Sequence, residues 1–348
     1  MKRLGGLDLA RGLACLGMIE AHAYDAYVDA PDRVTAAFAL TRFIALLPLP
    51  LFLTLAGMGV ALRVQRGLER GEAPHDVRRE LVWRGFRVVL AGFALNGIYG
   101  LMDGARELGS YLRFDVLHVI GASSMLLGLV LPGRARPQRT ALVVALLVLL
   151  PSPWLNGAAA DLESPLRFAL VPFVDVPPFT VMPVFPLAVW CALGAAITPV
   201  CVRWPGRVAL VALGVAVVSS WGMQAWLSAA GVPLSRTHPA VWLNALDLGA
   251  RALFVIGAAL VAYPRVAATR FAVPVLLTLG TRSLRVYAFH LPFAYGALGK
   301  PVRALTDTSV AAATPWVLGL VALTYALVRA SDWLRDRWRA WRYTPAVP

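Results

Sequence analysis

The chain has 348 residues, of which 59% are hydrophobic and only 15% charged, with a formal net charge of +14. An ordinary soluble domain carries about 25% charged residues, so the composition excludes that class and points to a membrane-embedded protein. The basic surplus calls for no nucleic-acid partner, because it is concentrated on one set of loops in the way that marks the cytoplasmic side of a membrane protein.

Apolar windows of about 20 residues mark helices long enough to cross a bilayer. In chain order they fall near residues 7–28, 41–62, 86–103, 114–131, 140–156, 179–200, 208–230, 242–263, 274–298 and 312–331. The pattern predicts an all-α integral membrane protein with about ten transmembrane helices, one polytopic domain over 1–348, and both termini cytoplasmic. With that placement, 19 of the 33 Lys and Arg residues lie on the predicted cytoplasmic segments. Those segments are Met1–Gly6, Arg63–Gly85, Pro132–Arg139, Cys201–Arg207, Pro264–Val273 and the tail after Ser331. The first span opens after Lys2-Arg3, but Asp8, Arg11 and Glu20 interrupt its apolar core, so it reads as a retained span rather than a cleaved signal peptide. Cys15, Cys191 and Cys201 form no paired spacing and read as buried thiols. The tail from Asp332 to Arg342 alternates Trp with Arg, as an interfacial helix end does. The predicted outer loop Gly157–Pro178 is rich in Pro and small residues. A low Lys content with abundant Arg, Ala, Leu and Val suggests a GC-rich genome and a bacterial inner membrane.

Ionisable side chains within spans are costly in hydrocarbon and normally face a protein interior or a watery cavity. At roughly 100° per residue, Arg11 and His22 lie within about 20° of each other on the first span, with Asp8 within about 60° of both. His22 lies deep in the first span and His290 deep in the ninth, both of which run outward, and His118 follows the outer start of the fourth. These three histidines therefore converge in depth on the outer leaflet, joined by Arg42 at the start of the second span. Histidine is suited to moving a proton near neutral pH, and Asp115 or Asp25 can fix its tautomer. A three-histidine metal site lacks close ligand spacing, and no metal is expected. In the ninth span Ser283, Tyr287 and His290 share a face, and Arg282 and Arg285 stand near mid-membrane. The two arginines can hold phosphate or pyrophosphate, or pair with acidic groups to lock helices. Asp247 and Arg251 are four apart and read as an intrahelical ion pair.

The stretch "LDLARGLACLGMIEAH" resembles the opening span of the heparan-alpha-glucosaminide N-acetyltransferase-like family of multi-span membrane acyltransferases. Four more stretches resemble it in order: "LTRFIALLPLPLFLTLAGMGVAL", "RFDVLHVIGASSMLLGLVL", "FPLAVWCALGAAI" and "LGTRSLRVYAFHLPF". The resemblance implies a polytopic enzyme that takes an acyl group, usually acetyl, from cytoplasmic acyl-CoA. The acceptor it implies is a sugar amine or hydroxyl on the far side of the membrane. It matches His22 to the first-span histidine of bacterial relatives, Asp8 and Arg11 to the opening motif, and Arg42, His118 and His290 to recurrent polar positions. This chain differs at Ala45-Leu46, where bacterial relatives often have Thr-His, and at Gly92, where a carboxylate is expected.

The reading is an acyltransferase with His22 as general base, or with transient acylation of His22. His290, His118 and Asp115 are further catalytic candidates, and Asp8, Arg11, Arg42, Arg282, Arg285 and Tyr287 candidates for binding. Acetyl-CoA or another acyl-CoA is the co-substrate. The expected partners are the bilayer and a glycan or glycolipid acceptor, with a homodimer allowed. The alternatives are a secondary transporter with an Arg/Asp/His path and a catalytically inactive relative.

Overall fold

The computed structural model describes residues 4–160, 166–177, 179–231, 234–268, 272–305 and 309–343. Among them every regular element is helical, apart from an isolated parallel bridge between Phe114 and Thr180. The α-helices are α1 (Gly5–Tyr27), α2 (Ala36–Ala45), α3 (Pro48–Glu69), α4 (Pro74–Asp103), α5 (Leu108–Leu112) and α6 (Val116–Val130). They continue with α7 (Pro137–Leu149), α8 (Ser152–Ala160), α9 (Leu166–Leu170), α10 (Val184–Arg203), α11 (Pro205–Ala230) and α12 (Val241–Val266). The series closes with α13 (Ala272–Thr281), α14 (Ser283–Ala294), α15 (Lys300–Leu305) and α16 (Val310–Tyr343). Short 3₁₀ turns cover Ala30–Val34 and Ala297–Gly299.

Among the described residues, seven helical stretches are long and apolar enough to cross a membrane: Ala36–Glu69, Pro74–Asp103, Pro137–Ala159, Val184–Arg203, Pro205–Ala229, Val241–Val266 and Val310–Trp341. They coincide with seven of the windows expected from sequence. The other three fall on α1, which carries several charges, on the shorter α6, and on a window that the structure divides. The span expected over 274–298 is two helices, α13 and α14, separated at Arg282, whose backbone leaves the helical basin at φ −118°, ψ 24°. The polar stretch expected to connect the second and third spans is also mostly helical. α3 runs to Glu69 and α4 starts at Pro74, and Arg63 bonds Glu72 at 2.5 Å and Glu80 at 2.8 Å to close the hairpin.

The chain divides into two compact units, Met1–Ala10 with Leu49–Arg265, and Arg11–Pro48 with Val266–Pro348. The first unit packs as membrane helices do, by backbone approach at small residues. A side chain on Gly57 would strike the carbonyl of Cys191, and one on Gly194 would strike the carbonyl of Thr54, so α3 and α10 touch through reciprocal glycines. The Trp190 indole donates to the Ala245 carbonyl at 2.8 Å and ties α10 to α12. α11 turns Leu210, Val211, Val218 and Trp221 outward, as a helix facing hydrocarbon would.

Asp247 and Arg251 form the expected i,i+4 pair, and the structure adds Ser220 from α11. Arg251 Nε donates to Asp247 Oδ1 at 3.0 Å, Arg251 Nη2 meets Asp247 Oδ2 at 2.9 Å, and Ser220 Oγ donates to Asp247 Oδ1 at 2.8 Å. Asp247 is buried, so removing it alone leaves the Arg251 cation without its carboxylate. Asp247→Ala is expected to cost about 3 kcal/mol, read as a lower melting temperature of the detergent-purified protein. The double variant Asp247→Ala with Arg251→Met, which removes both charges, should recover most of the loss.

Candidate active site

The second unit assembles a site from α1, α2, α14 and the turns that follow α1 and α14. Its frame is the parallel pairing of α1 with α13 and α14. Gly12 lies so close to α13 that a Cβ would strike the Leu276 carbonyl. Further along, the Cys15 thiol faces the Leu279 carbonyl at 3.5 Å, and the Tyr27 hydroxyl donates to the Phe293 carbonyl at 3.0 Å. These contacts advance together along both segments, as two helical segments running in the same direction require.

Between the ends of this ladder, His22 Nδ1 and His290 Nε2 are 2.8 Å apart. The rings are parallel, at 0°, with centroids 5.1 Å apart. With the bonded nitrogens this close, they meet edge to edge. His290 Nδ1 lies 2.7 Å from the Val286 carbonyl, which can only accept, so Nδ1 carries the proton. In the neutral pair His290 Nε2 is then the acceptor, and His22 Nδ1 must be the donor. The tautomer assigned to His22 leaves the Nε2 lone pair as its basic nitrogen. His290 is fully buried while His22 is partly exposed, so the bare nitrogen belongs to the ring that a substrate can reach.

The surroundings hold this pair in place. Tyr287 meets His290 edge-on at 6.0 Å, and the Tyr295 ring lies 5.4 Å from His22. The Tyr295 hydroxyl donates to Asp25 Oδ2 at 2.9 Å, and Arg42 Nη1 reaches Asp25 Oδ1 at 3.4 Å. Arg33 anchors the backbone at the end of α1 through the carbonyls of Val28 and Asp25, at 2.9 and 2.5 Å. Arg303 clamps the chain after α14 through the carbonyls of Ala294 and Gly296. The Tyr24 hydroxyl meets Thr314 Oγ1 at 2.9 Å and ties α1 to the start of α16.

Of the three histidines expected to converge, the structure brings two together. His118 lies in the first unit, where it and Asp115 form a capping box at the start of α6. The Asp115 amide donates to His118 Nδ1 at 3.0 Å, and the Val116 amide donates to Asp115 Oδ1 at 2.7 Å. Arg113 pairs with Asp115 Oδ2 at 3.0 Å. That is a cap's geometry rather than a base and its orienting carboxylate. Asp8 is buried within the first unit, whereas Arg11 belongs to the second, some three turns before His22 on α1.

Arg282 and Arg285 both reach Asp332 on α16, at 3.2 and 2.7 Å, and Arg285 also donates to Ser331 Oγ at 2.9 Å. Sequence placed Asp332 in a cytoplasmic tail and so missed it as a partner. Tyr295 was missed for a different reason. It follows His290 by five residues, which on a continuous helix points about 140° away, but α14 ends at Ala294 and the turn brings Tyr295 back to His22.

The family model for the heparan-alpha-glucosaminide N-acetyltransferase catalytic region matches residues 3–213. No curated protein matches the chain. The matched segment contains His22, Asp25 and Arg42, while His290, Tyr295 and the Arg282/Arg285 pair lie beyond its end.

The tautomers can be read directly. Nitrogen NMR of histidine-labelled protein near neutral pH is expected to show His22 protonated at Nδ1 and bare at Nε2. In His290→Phe, which keeps a ring but loses the acceptor, the His22 signals should shift toward the other tautomer. A wild-type His22 protonated at Nε2 would contradict the assignment.

Proposed function

The chain belongs to the heparan-alpha-glucosaminide N-acetyltransferase catalytic family, and from that premise we propose that it moves an acetyl or other short acyl group across a membrane from acyl-CoA to a sugar amine or hydroxyl. The observation that carries the proposal is the bare Nε2 of His22, its tautomer set by His290 and the Val286 carbonyl.

In the proposed reaction His22 Nε2 takes the proton from the acceptor's N–H or O–H as that atom attacks the thioester carbonyl. A bond forms between acceptor and acyl carbon, the carbon–sulfur bond breaks, and the proton passes from His22 to the departing thiolate. His290 is the orienting member. Its Nε2 accepts from His22 Nδ1–H and steadies the imidazolium formed in the transfer, the role a carboxylate fills in a serine hydrolase triad. A neutral imidazole does this less strongly than a carboxylate, but it costs less to keep among apolar helices. Asp25, held by Tyr295 and Arg42 beside His22, supplies acceptor oxygens for the hydroxyl or ammonium of the incoming sugar.

We place the protein in a bacterial inner membrane with ten crossings and both termini cytoplasmic, α1, α6 and the α13–α14 pair completing the seven long apolar stretches. The excess of base on one set of connections supports that orientation. Acyl donor then enters from the basic side, and the histidine pair lies toward the other.

His22→Ala in proteoliposomes is expected to lower acyl transfer at least about 100-fold, while acetyl-CoA still raises the melting temperature of the variant. Near-wild-type transfer by this variant would remove His22 from the chemistry.

A further inference from the structure

At the end of α14 away from the histidine pair, three guanidinium groups share one carboxylate. Asp332 Oδ1 is 2.7 Å from Arg285 Nη1 and 2.8 Å from Arg335 Nη2, and its Oδ2 is 3.2 Å from Arg282 Nε. Among the described residues the only other acid joined to this group is Asp336, 3.4 Å from Arg335 Nε. A helix lock needs one cation per carboxylate, so the cluster carries a surplus of positive charge. Among the described residues Arg282 bonds through Nε alone, which leaves both of its terminal amino groups for another acceptor. The three arginine side chains are each about a third exposed, at 35%, 29% and 31%, while Asp332 is 15% exposed. The cations therefore face outward and the neutralising acid lies beneath them. The first turn of α14, which begins at Ser283, adds the partial positive charge of a helix N-terminus.

We propose that Arg282, Arg285 and Arg335 form a binding site for the phosphate groups of a nucleotide-bearing acyl donor. This rests on the acyltransferase reading of the histidine pair and adds to it the place where the donor's charged end is held. The geometry suits a long donor. Arg282 precedes His290 by eight residues, about 12 Å along α14, so one helix carries phosphate recognition at its start and the partner that orients the base near its end. Guanidinium groups match phosphate oxygens in pairs, and the half-buried Asp332 behind them fixes their direction. Anionic lipid headgroups offer the same chemistry, and the test separates the two sources.

The experiment compares acetyl-CoA with S-acetylpantetheine, which has the thioester but lacks the phosphates, as donors for full-length protein in nanodiscs. Wild-type protein should prefer acetyl-CoA, seen in KM. In Arg282→Gln, and separately in Arg335→Gln, that preference should shrink by about tenfold or more, and Arg282→Lys should recover part of it. A preference that stays at the wild-type ratio in both Gln variants overturns the phosphate site and leaves the acyltransferase reading standing. Wild-type protein that uses neither donor overturns both. If the variants instead change activity only when phosphatidylglycerol replaces phosphatidylcholine in the nanodisc, the site belongs to a lipid headgroup and the donor assignment fails.

Discussion

A hydrogen bond between two uncharged imidazoles, held between apolar helices, is the constraint on which the second unit depends. It exists only if α1 and α14 keep one register over several turns. A slip of one residue would turn either ring about 100° away from the other. The register is set elsewhere, by the absence of a side chain at Gly12, by the Cys15 and Tyr27 contacts, and by the Arg303 clamp. An imidazole left without its partner in such surroundings costs about 1–3 kcal/mol. The pair thus adds to the stability of the helix packing that creates it, and the proton positions follow from the fixed backbone carbonyl at Val286 rather than from a mobile side chain.

The polar groups of α14 are sorted by what each end of the helix can tolerate. Its first turn bears full charges, and these are half-exposed and paired with an acid on α16. Its later turns carry groups that are polar but neutral, and these are buried. Full charge in a low-dielectric interior would demand a compensating partner at several kcal/mol, whereas a neutral histidine needs only one donor and one acceptor, both of which it has. The break at Arg282 belongs to the same arrangement. It falls where the guanidinium reaches Asp332, and α14 restarts there with its own N-terminus at the charged end.

Much of the second unit was legible from depth alone. Counting residues from the start of each apolar window puts His22 and His290 at a common level, and the packing of α1 on α14 is what puts them side by side. Distance along the axis carries no information about which side chains meet, so the same counting adds His118 to the group. Its actual partner is three residues away. Asp-x-x-His at a helix start acts as a capping box, and its fourth residue is a histidine where Glu or Gln is the familiar signature. The break at Arg282 had no proline to announce it, and the acid that accompanies it lies about 50 residues downstream. Asp25 was visible as a carboxylate near the right level, but its link to His22 runs through Tyr295, which is placed by a turn that periodicity cannot foresee.

Gly92 stands where the family resemblance leads one to expect a carboxylate, and its surroundings give the difference a physical meaning. A Cβ at this position would stand 2.7, 2.8 and 3.0 Å from Cε1, Nε2 and Nδ1 of His118. The imidazole occupies the space that a side chain at 92 would need, and it is held there by its bond to the Asp115 amide and by the Phe93 ring at 4.1 Å. A carboxylate at 92 and the His118 ring in this pose are mutually exclusive on steric grounds. The absence of an acid at 92 is therefore coupled to the packing of α4 on α6 in the first unit. The rings, tautomers and described supporting contacts of the histidine pair belong to the second unit.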